Sequence, residues 1–277
     1  MSSDETHLHK PEPVYRASKS GVPQELRSAP FYFLSALLVF ILWQLAAVLM
    51  SESARRFLVP PPAAVAGRLL RLLQDGSLWH HARITLTEMG LGLVVGTVFA
   101  ALLGYAVAHS RLVAYILEPI IVISQAVPIV ALAPLLTVWF GPGIVSKVVV
   151  CALIVFFPIL VNITTGLKSI DPRLRDLFRL LEAHRAQVLL HLEIPAALPA
   201  FLAGLKVGGT LSAMGAVVGE FVASTEGLGY LVKQGQNLYD LPMMFVAILV
   251  LMLIATAVYA LLTLLERILL RWQRAGA

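Results

Sequence analysis

The stretch that decides the fold is residues 168–199, KSIDPRLRDLFRLLEAHRAQVLLHLEIPAALP. It is a long polar interruption between strongly apolar segments in the second half of the chain. Asp171 followed by Pro172 is typical of a helix N-cap with proline at the first helical position. Leucines then recur at helical spacing as far as Leu192. The pattern predicts one amphipathic helix that continues without interruption through Glu182.

Arginines line the polar side of this predicted helix, at positions 173, 175, 179 and 185. Basic residues of membrane proteins concentrate on the cytoplasmic side, so we expect the helix at that surface. Its leucines also require an apolar surface to contact. Two interpretations stay open from this segment alone: a basic helix that rests on lipid headgroups, or a docking element for a soluble partner.

The composition is that of a membrane protein that crosses the bilayer several times. Apolar residues make up 58% of the 277-residue chain and charged residues only 13%, which is too lipophilic for a water-soluble protein. The net charge of +5 is dispersed between apolar segments, so it argues against a nucleic-acid partner and for membrane orientation. Cys151 lies inside an apolar run and, as the single cysteine, is expected to be a small core residue.

Six segments are long and apolar enough to cross a hydrocarbon layer of roughly 30 Å, which takes about 20 residues. An even number of spans places both termini on one side, and the distribution of Lys and Arg favours the cytoplasm. Residues 1–29 are expected to form a mobile polar tail, 30–78 the first anchor and an outer amphipathic segment, 79–272 the main membrane domain, and 273–277 a cytoplasmic end. The predicted spans are residues 30–50, 85–108, 112–138, 144–167, 196–222 and 243–265.

Small residues on the second and fifth spans predict close helix packing, because they let backbones approach each other. On the fifth span, the opposite side is polar. Lys206 there either snorkels to the inner headgroups or lines the transport route. Glu220 either pairs with another span or with Lys233, or helps to form an outer gate. The small residues are Gly92, Gly96, Ala100 and Gly104, and Gly204, Gly208, Ser212, Gly215 and Gly219.

Three prolines, Pro119, Pro128 and Pro134, predict kinks in the third span, because proline removes a backbone donor. Broken helices are tolerated in membranes where protein or a water-filled cavity satisfies the freed carbonyls. Polar side chains nearby either line such a cavity or only hydrogen-bond a neighbouring helix. These side chains are Ser124, Gln125 and, on the fourth span, Asn162.

Signatures of catalysis are missing from the sequence, which contains neither H-E-x-x-H nor G-x-S-x-G. His80, His81, His184 and His191 lack further ligands at metal-binding spacing, so we expect surface histidines and no metal site. The segment GPGIVSKV at residues 141–148 departs from a P-loop. The chain is therefore not expected to hydrolyse ATP, and the energy for uphill transport must come from a partner.

Several motifs in a consistent order resemble ABC importer permeases, most closely the nitrate, sulfonate, taurine and pyrimidine-precursor branch. They are IPAALP at residues 194–199, GLKVG at 204–208, PIVALAPLLTVWFG at 128–141, FFPILVNITTGL at 156–167 and GEFVASTEGLGYLV at 219–232. The resemblance covers roughly residues 79–272. Two positions depart from the family: Glu182 replaces the usual glycine of the coupling turn, and Glu88 replaces an arginine, which could change the partner chain or lipid that this span meets.

The resemblance implies an all-α type I ABC importer permease with six transmembrane helices and a cytoplasmic coupling helix between spans 4 and 5. It implies a homodimer in the inner membrane, two ABC ATPase subunits that hold ATP and Mg²⁺, and an extracytoplasmic solute-binding protein that docks on residues 65–73 and 227–238. The coupling residues are Arg173, Arg175, Leu177, Arg179, Leu181, Glu182, Ala183, His184, Arg185 and Val188. The candidate path residues are Ser124, Gln125, Asn162, Lys206, Thr210, Met214, Val217 and Glu220.

The expected function is import of a small polar solute, with an anion such as a sulfonate favoured and a pyrimidine or vitamin precursor as the other possibility. The chain itself needs no cofactor. The competing functions are a passive channel and an intramembrane enzyme. A channel needs no capped cytoplasmic helix that bears leucines, and an enzyme needs convergent reactive groups that the sequence does not offer.

Overall fold

A computed structural model describes residues 24–50 and 58–271, which are largely helical and contain no β-strand. Most of the predicted tail (1–23) and the predicted end (273–277) fall outside these ranges. Two compact units divide at residue 50, and α1 belongs to the first. The helices are α1 Gln24–Leu49, α2 Pro62–Gln74, α3 Ser77–His109, α4 Arg111–Gln125, α5 Ile129–Phe140, α6 Ile144–Lys168, α7 Pro172–Leu180, α8 Arg185–Val188, α9 Ile194–Ala223, α10 Leu228–Asn237 and α11 Leu241–Leu269, with a π-helical turn Leu189–Glu193 before α9.

Helices long and apolar enough to cross a membrane coincide with the predicted spans. Four of them pass that test on their own: α3, α6, the segment Arg185–Val222 and α11. The first predicted span lies in α1, where the apolar helix Leu37–Leu49 is by itself shorter than a full span. The chain is therefore an all-helical, multi-pass membrane protein.

The third predicted span is broken rather than merely kinked. Its two arms, α4 and α5, meet at an angle of 101°. They contain 15 and 12 residues, so neither arm alone crosses about 30 Å of hydrocarbon. Pro128 stands at the break, where it has no N–H to donate and holds the preceding residue away from helical geometry. Pro119 and Pro134 lie inside the two arms.

The centre of the second unit is α6, which lies between α3 and α9. Cys151 on α6 is fully buried at the point where the three helices come closest. A Cβ atom on Gly92 of α3 would lie 2.4 Å from Cys151 Sγ, and one on Gly215 of α9 would lie 2.7 Å from Cys151 Cα. Real Cβ atoms do not approach so closely, so glycine is required on both sides. The expected core role of Cys151 is confirmed.

Both predicted stripes of small residues pack on α6. Gly96 approaches Ala152 and Val155, and Gly104 approaches Ile163, so α3 runs parallel to α6. On α9, Gly208 approaches Ile159 and Gly219 approaches Lys147, so α9 runs antiparallel. The segment α7, α8 and the π-helical turn defines the coupling end of the molecule. The opposite end, called the far end below, carries the first residues of α3 and α6 and the last residues of α9.

At the far end, α2 and α10 pack against α11. The predicted amphipathic segment is α2, with Val65 and Leu72 buried and Leu73 exposed. The Arg68 guanidinium pairs with Asp240 at 2.8 Å, and Asp240 Oδ1 accepts the backbone N–H of Met243 at the start of α11. These contacts join the end of α10, the start of α11 and α2.

Gly215→Val should separate α6 from α9, because the added side chain would meet the Cys151 backbone. Overpacking of this kind costs roughly 1–3 kcal/mol, so the purified permease should unfold at a clearly lower temperature. Gly90→Val is the matched control, since a Cβ on Gly90 meets nothing within 4 Å. Equal unfolding temperatures for the two variants would contradict the packing described here.

Candidate coupling surface and translocation path

The coupling segment begins as the sequence predicted. Asp171 caps α7 by accepting the backbone N–H of Arg173 at 2.9 Å, and Pro172 takes the first helical position. Arg175 Nη2 donates to the Leu167 carbonyl at 3.0 Å. Phe178 packs against the buried cluster that contains Leu167 and Leu192. Helix α7 is thereby attached to the coupling end of α6.

Most leucines of α7 do not contact this core. Leu174 and Leu177 are nearly half exposed, Leu180 is 82% exposed, and Leu181, just after the helix, is 68% exposed. We call these four residues the coupling patch. Arg173 and Arg179 are exposed on the same short helix. The segment therefore presents apolar surface bordered by positive charge.

The prediction of a continuous helix through Glu182 was wrong. Helix α7 ends at Leu180, and Glu182 adopts the left-handed conformation with φ of 52°. The N–H of Glu182 donates to the Arg179 carbonyl and that of Ala183 to the Phe178 carbonyl, both at 3.0 Å. This pair of bonds is the Schellman ending, which normally has glycine at the left-handed position. Glu182 thus occupies the backbone geometry of the glycine that it replaces.

Arg179, three residues before Glu182, pairs with Asp176 at 3.0 Å. After the turn, the backbone N–H of His184 donates to Gln187 Oε1 at 3.0 Å, and α8 begins. Seven of the predicted coupling residues are exposed: Arg173, Leu177, Arg179, Leu181, Glu182, His184 and Arg185. The remaining three, Arg175, Ala183 and Val188, are half-buried.

Lys206 is held by an ion pair that neither sequence interpretation included. Its Nζ lies 2.7 Å from Glu266 Oε2 on α11, and both side chains are about one-fifth exposed. Pairing removes most of the cost of a lysine in a membrane helix. Lys206 therefore joins α9 to α11 rather than offering a free positive charge to a solute.

Other path candidates fall in different places. Thr210 and Met214 are exposed on one side of α9 together with Val207 and Phe221, because offsets of three, four and seven residues share a helix face. We call these four residues the path face. Gln125 is exposed at the end of α4, next to the break in the third span.

Asn162 and Ser124 make hydrogen bonds within their own helices. Asn162 Nδ2 donates to the Pro158 carbonyl at 2.8 Å, and Asn162 packs against Gly204 between α6 and α9. Ser124 Oγ donates to the Ile120 carbonyl at 2.7 Å. Both bonds stay within one helix, so neither is the hydrogen bond to a neighbouring helix that the sequence left open.

A buried polar cluster occupies the far end. Glu220 is 0% exposed. Thr85 Oγ1 donates to its Oε1 at 2.6 Å, and the backbone N–H of Gly229 donates to its Oε2. Thr85 Oγ1 also accepts the N–H of Leu228 at 2.8 Å. Glu220 therefore holds the start of α10, whereas Lys233 donates to the Phe221 carbonyl at 2.8 Å.

Glycine is required beside this carboxylate. Gly227 has a φ of 108°, and a Cβ on it would lie 2.2 Å from the Glu220 carboxyl carbon. Val217 lies one turn before Glu220, and its Cα approaches Gly229. Glu220 thus faces α10, whereas Val217, three residues after Met214, lies at the edge of the path face where α9 approaches α10.

Glu88 belongs to the same cluster, where it is buried within this chain. It is 1% exposed, and its Oε1 lies 3.0 Å from Lys147 Nζ on α6. Lys147 also donates to Ser224 Oγ at 2.8 Å. Sequence reasoning missed Lys147, although a lysine inside a predicted span signals a buried partner.

Metal-binding groups are not found in the ranges that the structure covers: within residues 24–50 and 58–271, no three His, Cys, Asp or Glu side chains are placed to hold an ion. His81 Nδ1 instead accepts the backbone N–H of Gly227 at 2.9 Å.

Membrane-spanning helices, an exposed leucine and arginine segment at one end and a buried polar cluster at the other are features of a multi-pass membrane permease. The chain belongs to the family described as binding-protein-dependent transport system inner membrane component, whose model matches residues 92–271. It is the permease component of an ABC importer.

Curated relatives and a solved structure agree with this assignment. The chain is 42% identical to the riboflavin transport system permease protein RibX of Chloroflexus aurantiacus, covering 86% of this chain and 88% of RibX. It is 34% identical to the formylaminopyrimidine transport permease protein ThiX of Halalkalibacterium halodurans, over 86% and 94%. A chain of the inward-facing MetNI methionine ABC transporter shares the fold, with a TM-score of 0.60, 18% identity and coverage of 79% and 98%.

Glu182→Gly should raise the unfolding temperature of the purified permease and retain full transport. Glycine avoids the left-handed penalty, which is about 1 kcal/mol or slightly more for other residues. The matched control is Ala183→Gly. This change increases the conformational entropy of the unfolded chain but relieves no positive φ in the folded protein, so it should lower stability. A loss of stability in Glu182→Gly as large as in Ala183→Gly would contradict the turn geometry.

Proposed function

We propose that ATPase subunits dock on the coupling patch and that their ATP-driven closure moves this permease between inward-open and outward-open states. The observation that carries the proposal is the exposure of Leu174, Leu177, Leu180 and Leu181 beside exposed arginines. Exposed apolar side chains on a helix that is already anchored to the core mark an interaction surface. ATP and Mg²⁺ are bound by the partner, and this chain has no catalytic role.

The coupling end lies in the cytoplasm, and both termini lie on that side. Support for this orientation comes from the basic residues of the coupling segment, since Lys168, Arg173, Arg179 and Arg185 are all exposed, and basic residues concentrate on the cytoplasmic side. A helix that only rested on lipid would need its leucines to face the bilayer, but α7 is short and its first residues follow a capped turn from α6.

A second copy of the chain forms the other wall of the path. The path face supports this arrangement, because Thr210 places a hydroxyl group on an exposed and otherwise apolar face of α9. Its proton goes to the Lys206 carbonyl at 3.0 Å, which leaves the oxygen free to accept, and polar groups in spans usually face protein or water. Gln125, at the break of the third span, also contributes to the path. The break supplies backbone groups that a water-filled cavity can satisfy.

The solute-binding protein docks at the far end, on α2 and α10. The Glu220 contacts support a gate there, because the carboxylate connects α9 directly to the first residues of α10. A binding protein that displaces α10 would thus act on the end of α9.

The solute is small and polar, with no requirement for a negative charge. A path-lining Lys206 would have offered a positive charge to an anion, but its ion pair with Glu266 neutralises that charge. The names of RibX and ThiX, which concern riboflavin and formylaminopyrimidine, support small polar solutes of the heterocyclic kind.

Leu181→Asp should leave the permease folded in the membrane and abolish co-purification of its ATPase. The side chain is 68% exposed, so the charge costs little in the free subunit, but docking would bury it unpaired. The matched control is Leu73→Asp, another exposed leucine, which lies on α2 at the far end. Retention of the ATPase by Leu181→Asp would exclude the coupling patch from the interface and favour contact with lipid headgroups.

A further inference from the structure

A polar contact between two side chains connects the coupling segment with α3. His109 is the last residue of α3, and its Nε2 lies 2.7 Å from Glu193 Oε1. Glu193 is the last residue of the π-helical turn and is only 5% exposed. A buried carboxylate requires a partner, and His109 supplies one from a different membrane helix.

The position of the His109 ring is fixed from two sides. Its Nδ1 lies 2.9 Å from the Tyr105 carbonyl, one turn earlier in α3. A carbonyl only accepts, so Nδ1 carries the hydrogen of that bond. The Tyr105 ring stacks on the imidazole with a centroid distance of 4.0 Å. The orientation of Nε2 toward Glu193 is therefore set by α3 alone.

The π-helical turn sets the orientation of Glu193. A π-helical turn holds about one residue more than an α-helical turn, and such insertions often occur at functional positions. One residue corresponds to about 100° of rotation around a helix, so a regular helix through Leu189–Glu193 would turn this carboxylate away from His109. The same turn leaves His191 exposed.

The hydrogen bond crosses a region that is not closely packed. A cavity of about 280 Å³ lies between α3 and the start of α9, lined by Ala101 and Tyr105 on one side and by Leu189, Glu193 and Ala197 on the other. Atoms that line a cavity lack neighbours on one side. Side-chain packing alone therefore transmits a movement of the π-helical turn poorly across this cavity to α3. The Glu193 to His109 contact bridges α3 and the π-helical turn at its edge.

We propose that Glu193 and His109 are positioning residues for transport, and that their contact carries the displacement of the coupling segment to α3. This inference rests on the proposed docking of an ATPase at the coupling patch. The segment reaches α9 through the chain itself and α6 through Arg175. Through His109, the segment also reaches α3, the helix that carries Thr85 and Glu88 of the far-end cluster. All three central helices thus receive the same displacement.

The test uses the full permease in proteoliposomes with its ATPase and binding protein, and measures solute imported per ATP hydrolysed. Glu193→Ala and His109→Phe should each lower this ratio about tenfold, the effect of losing one hydrogen bond to a charged group, while ATPase co-purification is retained. Phenylalanine keeps the stack on Tyr105 and removes only the hydrogen bonds. Glu193→Gln can still form a hydrogen bond with the ring and should stay within about threefold of the parent.

The matched control is His191→Phe, on the same turn, whose ring bonds only the Gln187 carbonyl of its own segment at 3.1 Å. It should leave the ratio unchanged. The double variant Glu193→Ala with His109→Phe should be no worse than either single variant, because both remove the same contact.

The proposal is overturned if His109→Phe leaves the ratio of import to hydrolysis unchanged, or if the two single effects multiply in the double variant. Should a single variant fail to assemble because a buried group has lost its partner, His109→Phe is combined with Glu193→Gln, which removes the contact without leaving an unpaired carboxylate. This double variant should still lower the ratio about tenfold, and an unchanged ratio overturns the proposal. Failure of the ATPase docking itself is recognised separately, by Leu181→Asp retaining the ATPase.

Discussion

The close approach of three helix backbones at Cys151 is the constraint on which the rest of the structure depends. Glycines on α3 and α9 leave no room for a larger residue on either side of α6. Without a hydrophobic driving force between helices in lipid, such backbone contact is a main source of association. At the level of Cys151 it makes α3, α6 and α9 one closely packed unit. Nearer the coupling end, a cavity separates α3 from the start of α9, and the contact of Glu193 with His109 connects them there.

Charged side chains add specificity to this packing. Lys206 pairs with Glu266 between α9 and α11, and Lys147 pairs with Glu88 between α6 and α3. Glu220 accepts hydrogen bonds from the Thr85 hydroxyl on α3 and from the Gly229 backbone N–H on α10. Each group would be costly alone in a bilayer, and each is joined to a different helix. The charges of the spans thus fix which helices meet.

Local sequence patterns predicted much of this fold, but they did not predict which side chains pair across long distances in the sequence. The spacing of small residues identified both faces that pack on α6, and Asp171 with Pro172 identified the start of α7. The turn at Glu182 was missed because Phe178 and Val188, on either side of it, contact the same core. The helical spacing of apolar residues therefore continues across the turn in the sequence. The partners of Lys206, Glu88 and His109 lie 60, 59 and 84 residues away in sequence, beyond any periodicity argument.

As proposed above, this chain is a gated path that moves solute only when an ATPase acts on its coupling segment. The most direct measurement is uptake into proteoliposomes that contain the permease, its ATPase and internal ATP, with the binding protein and the solute it retains outside. The account predicts accumulation above the external concentration that requires both ATP and the binding protein. Equilibration of the solute through the permease alone, with neither present, would contradict it and identify a passive channel.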